Sequence, residues 1–74
     1  MLMEKLFGIV AYGVDDLSIW SKLLFMYNIN YMIEPDTDGD ELYFKIYIGI
    51  EYKSKYGELQ RNHDILKATE KHFV

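Results

Sequence analysis

The 74 residues include twelve acids, eight lysines and arginines and no cysteine, for a formal net charge of −4. Without cysteine there are no disulfides and no thiolate zinc site, which fits a cytoplasmic location. No run reaches the ~18 apolar residues of a membrane span. The acidity also argues against nucleic acid and anionic membranes, whose phosphates are met by lysine and arginine. The negative charge lies in front: residues 1–50 hold eight acids against three lysines, and residues 51–74 hold four acids against five bases.

Residues 1–74 read as a single domain. Half of them are hydrophobic, which argues against disorder. A chain of this size buries only about 60–65% of its unfolded surface. The opening "MLMEKLFGIVAYG" does not read as a secretory leader, because its apolar run is short and broken by Gly8, and a soluble chain is expected. Met3–Tyr12 is apolar and predicts a strand that turns at Gly13. A helix is expected over Asp16–Tyr27, capped by Asp15 or Asp16 and stopped at Asn28. Its apolar half carries Leu17, Ile19, Trp20, Leu23, Leu24, Met26 and Tyr27, and Phe25 falls among the polar residues of the other side.

In "NINYMIEP", Ile29, Tyr31 and Ile33 alternate with Asn30, Met32 and Glu34, and Pro35 is expected to end the strand. The sequence "PDTDGD" supplies turn residues. A third strand, Glu41–Tyr52, places Leu42, Phe44, Ile46, Ile48 and Ile50 on one side and Tyr43, Lys45, Tyr47, Gly49 and Glu51 on the other. After a connector, residues 57–72 predict a second helix, with Leu59, Leu66 and Phe73 in a stripe widened by Asn62, Ile65 and Thr69.

This order is β-α-β-β-α, an α+β domain. A right-handed crossover makes strands one and two parallel, and the hairpin sets strand three antiparallel. The third strand, longest and most regularly apolar, is expected in the centre, giving sheet order 1-3-2 with both helices on one face. In topology it resembles the split βαβ of the ferredoxin-like fold truncated by its last strand, a fold that hosts many functions. The opposite face, with Tyr43, Tyr47 and Met32, then lacks cover from the chain itself, and the first strand is an apolar edge. A homodimer or a partner protein is the expected consequence.

No catalytic or cofactor motif emerges. "DTDGDE" departs from a calcium loop: counted from Asp36, glycine falls fourth and Tyr47 twelfth. His63 and His72 point to nearly opposite sides of their helix, and no serine stands in a glycine elbow. The expectation is therefore a non-enzymatic module that needs no cofactor or metal. In size and acidity it resembles small cysteine-free proteins of phages and mobile elements. It would act as a stoichiometric inhibitor or adaptor of a protein with a basic surface, or as a nucleic-acid mimic. The expected binding residues are Tyr43, Tyr47, Met32 and Phe25 with the acids Glu34, Asp36, Asp38, Asp40 and Glu41. The alternatives are a structural subunit of a homo-oligomer, an aromatic nucleic-acid-binding sheet and a small enzyme.

Overall fold

The computed structural model describes residues 5–71, the side chains of 70 and 71 excepted. The elements are β1 (Leu6–Tyr12), α1 (Val14–Met26), β2 (Met32–Asp38), β3 (Glu41–Gly49), a 3-10 segment (Ile50–Lys55) and α2 (Tyr56–Lys71). The strands form one sheet in the order β1–β3–β2, with both outer strands antiparallel to β3. Ile46 sits between Ile9 and Ile33, and Tyr43 sits between Tyr12 and Asp36.

The chain leaves β1 through Gly13 at φ +90°, a conformation that suits a residue without Cβ. Neither aspartate caps α1, which starts at Val14 without a side-chain cap. Asp16 instead turns inward, and its Oδ2 accepts the Tyr12 N–H at 3.0 Å. At the other end Asn28 adopts φ +58°, and the amides of Tyr27, Asn28 and Ile29 bond back to the carbonyls of Leu23, Phe25 and Leu24. This is the left-handed helix stop that asparagine tolerates. The Tyr27 hydroxyl then joins α1 to α2, donating to Glu58 and accepting from Asn62.

Three boundaries differ from expectation. Pro35 does not end β2; it lies inside the strand, opposite Phe44. The neighbouring Thr37 N–H turns away from the sheet to Asp36 Oδ1. By the period of two, the amide position of Pro35 faces outward as well, so proline costs no ladder bond on this edge strand. The segment from Ile29 to Tyr31 is instead a loop, although Ile29 is buried. The third strand stops at Gly49, and Ile50 enters the 3-10 segment, exposed rather than on the covered face. One more sheet-like bond, from the Ile50 N–H to the Lys5 carbonyl, closes the strand end. The hairpin itself is tight: Gly39, at φ +64°, and Asp40 are its two loop residues, the pattern of a type II′ turn.

The core forms on one face of the sheet. Ile9, Ala11, Ile46 and Ile48 meet Trp20, Leu23 and Leu24 of α1 and Leu59 of α2, and all are buried. Both helices therefore cover that face. They sit toward β1, so the β2 side of the same face is thinly covered, with Leu42 45% exposed against expectation. Ile65 is likewise 57% exposed. Of the expected α2 stripe, Leu59 is fully buried and Leu66 packs against the core. Phe73 lies outside the described residues.

Candidate functional site

The other face of the sheet has no cover among the described residues. Alternation places Leu6, Val10 and Tyr12 of β1, Tyr43, Lys45 and Tyr47 of β3, and Met32, Glu34 and Asp36 of β2 on it. Tyr12 is 71% exposed and Met32 58%, whereas Tyr43 and Tyr47 are half-buried by their neighbours. The Tyr12 and Tyr43 rings lie 6.5 Å apart, and the Tyr47 ring passes over Gly8, where a Cβ would meet it at 3.5 Å. The face has a concavity at each end. One, of about 340 Å³, is lined by Val10, Tyr12, Asp38, Glu41, Tyr43 and Lys45. The other, of about 240 Å³, includes Leu6, Met32, Tyr47 and Glu51.

The acids are not equivalent. Asp36 is tied into the sheet: its Oδ1 accepts the Thr37 N–H at 2.8 Å, and its Oδ2 accepts the Tyr43 hydroxyl at 3.1 Å and lies 3.7 Å from Lys45 Nζ. The Thr37 amide first, then the Tyr43 hydroxyl, hold its carboxyl below the usual range. In return, the bond to Asp36 raises the Tyr43 phenol. Tyr47, Tyr43 and Asp36 together raise Lys45. Glu34, Asp38, Asp40 and Glu41 are exposed along β2 and its turn. They follow the hairpin one after another, and among the described residues no three metal-ligating side chains converge.

The structure thus brings Tyr43, Tyr47, Met32, Glu34 and Asp36 onto one face, with Asp38, Asp40 and Glu41 at its edge. It does not bring Phe25 there. Phe25 is 82% exposed, but it projects from α1, on the helical side of the sheet.

A second constellation escaped the sequence reading. His63 of α2 and Asp16 of α1 are buried and paired, Nε2–H donating to Asp16 Oδ1. The Trp20 ring stacks on the imidazole at 4.5 Å and 17°. His63 Nδ1 lies 3.1 Å from Asp64 Oδ1, and that contact first, then Gln60, holds the Asp64 carboxyl below its ordinary range. Lys67 Nζ stands 3.9 Å from Asp16. The available signal was positional: His63 follows Leu59 by four residues and precedes Leu66 by three, so it interrupts the apolar stripe of α2.

Together these features define a small α+β domain with one sheet face packed and the other open. Comparison with protein-family models, with curated proteins and with solved structures gives no match. No helix among the described residues is long and apolar enough to cross a membrane.

Proposed function

We propose that the chain is a small protein-interaction module that works by stoichiometric binding, as an inhibitor or adaptor, and docks through its open sheet face onto a basic protein surface. One observation carries this reading. Tyr12, Tyr43, Tyr47 and Met32 share a face left uncovered by the described residues, with Glu34 and Asp36 on it and Asp38 and Glu41 at its edge. Tyrosine and methionine are enriched in interface cores, uncovered apolar area marks association, and bordering charge sets capture rate and specificity. A cytoplasmic setting fits the cysteine-free composition.

Parallel capture from a cell extract, with the native chain and with the Tyr43→Ala/Tyr47→Ala chain, tests the reading. A partner retained in stoichiometric amount by the native chain and lost by a folded variant supports it. Equal retention by both refutes it. Nucleic-acid mimicry is a variant in which the carboxylates of β2 occupy a phosphate-binding groove of the partner; independent binding of DNA and of this chain to that partner excludes it. The uncharged strand β1 favours a second reading, a structural subunit or homodimer, which light scattering on the purified chain decides.

A further inference from the structure

β1 is the free edge of the sheet nearest α2, and a groove of about 490 Å³ separates the two. One wall is the strand from Gly8 to Tyr12, and the other is the α2 row Tyr56, Gln60, Asp64 and Lys67. The direction of the strand's peptide groups is fixed at both ends. The Lys5 carbonyl accepts from Ile50, beside β3, whereas the Tyr12 N–H turns away from β3 to Asp16. With a period of two, Phe7, Ile9 and Ala11 bond to β3, and Leu6, Gly8 and Val10 turn their N–H and C=O groups outward to the groove side. Among the described residues only the Tyr12 N–H of this outward set is met, by Asp16. The strand Leu6–Tyr12 contains no charge, no proline and no break in register, the features that normally blunt an edge.

We infer that this groove takes an extended peptide segment carrying lysine or arginine, which adds to β1 as a fourth strand. Main-chain bonds to an exposed edge give such binding its affinity, and alternate side chains give its specificity. The inference extends the docking reading to a second surface, the edge rather than the face of the sheet. The occupant's charge follows from the α2 wall. Lys67, with 49% of its side chain exposed, stands 3.9 Å from the buried Asp16 and offsets it. Asp64, with 66% of its side chain exposed, meets Gln60 and His63 only through Oδ1, so its Oδ2 is the acid oxygen turned to one basic residue of an incoming strand. The chain's net charge of −4 acts in the same sense. A basic peptide fits this acid better than the β1 of a second copy, which carries no charge.

Amide NMR of the full chain, titrated with an alternating lysine–valine pentapeptide, tests this. Saturable shifts are expected at Leu6, Gly8 and Val10, with at least ten-fold weaker binding of the glutamate–valine counterpart and of the basic peptide N-methylated at alternate residues. Val10→Pro removes one outward donor and no ladder bond, and a ten-fold loss is expected there too; the N-methylated peptide gives the same answer if that variant fails to fold. Equal binding of the N-methylated peptide overturns strand addition, and equal binding of the acidic peptide overturns the stated chemistry. Absence of saturable shifts overturns the groove altogether. Shifts confined to Tyr43, Lys45 and Tyr47 also overturn it while leaving the docking face intact. Concentration-dependent shifts at Leu6, Gly8 and Val10 without peptide would make a second copy the occupant and overturn the inference.

Discussion

His63 and Asp16, 47 residues apart in sequence, are hydrogen-bonded to each other inside the fold and join the two helices. Each is nearly sealed from water, and Asp16 also holds the last N–H of β1. A buried polar group left without its hydrogen-bond partner costs more than replacing both partners together.

Replacing His63 by Ala should therefore cost about 1–3 kcal/mol, since it takes the Nε2–H partner from the buried Asp16 Oδ1. In a domain this small that is a large share of the total stability. Urea unfolding of His63→Ala, Asp16→Ala and the double variant should give a combined loss smaller than the sum of the singles. Strict additivity would mean that the pair does not act as a unit.

Two glycines should respond in opposite directions. Gly13 sits at φ +90°, so Gly13→Ala should lose about 1–2 kcal/mol through backbone strain. Gly57 lies in the first turn of α2, with open space where a Cβ would go. Gly57→Ala should gain about 0.4–1 kcal/mol by restricting the unfolded chain. Thermal melts of the two variants decide this, and melting shifts of the same sign would contradict it.

Much of this architecture was legible in the sequence. The alternation of Phe44, Ile46 and Ile48 defined the packed face of β3, and the length and regular apolarity of that strand put it in the centre of the sheet. The placement of β2 was not legible, because whether a proline breaks a strand depends on which way its amide position faces, and only the register opposite Phe44 shows that. The exposure of Ile50 and Leu42 follows from the 3-10 segment and from helices seated toward β1, which local pattern does not report. On the candidate site, Tyr43 and Tyr47 could be assigned to a face by period alone. Phe25 could not, since its exposure says nothing about which layer it leaves. The pairing of His63 with Asp16 is a tertiary contact that nothing within either helix reveals.

Acid should weaken the fold through Asp36 and Asp64, whose carboxyls lie below their ordinary range when folded. Such groups bind protons more weakly folded than unfolded. Their contribution is therefore present above the unfolded carboxylate pKa and is lost as pH falls through the folded values. Asp36→Asn should flatten this acidic limb. It should also let the Tyr43 phenol titrate at lower pH, because the bond that raises it is to Asp36. Tyrosine ultraviolet titration checks this; an unchanged Tyr43 transition would contradict it.

Neutralising Asp36, Asp38 and Asp40 together should slow partner capture and reduce its salt dependence, because charge at an interface acts mostly on encounter. Stopped-flow association at several salt concentrations measures both. An unaltered rate and slope would remove the acidic turn from the docking surface.

The two described methionines offer the sharpest discrimination. Met32 and Met26 are both well exposed, but Met32 lies on the open sheet face, opposite Tyr47, and Met26 ends α1 on the helical side. With methionine methyls labelled, adding the captured partner should shift or broaden the Met32 signal and leave Met26 unchanged. Perturbation of Met26 with Met32 unmoved would place the partner on the helices and contradict docking on the sheet.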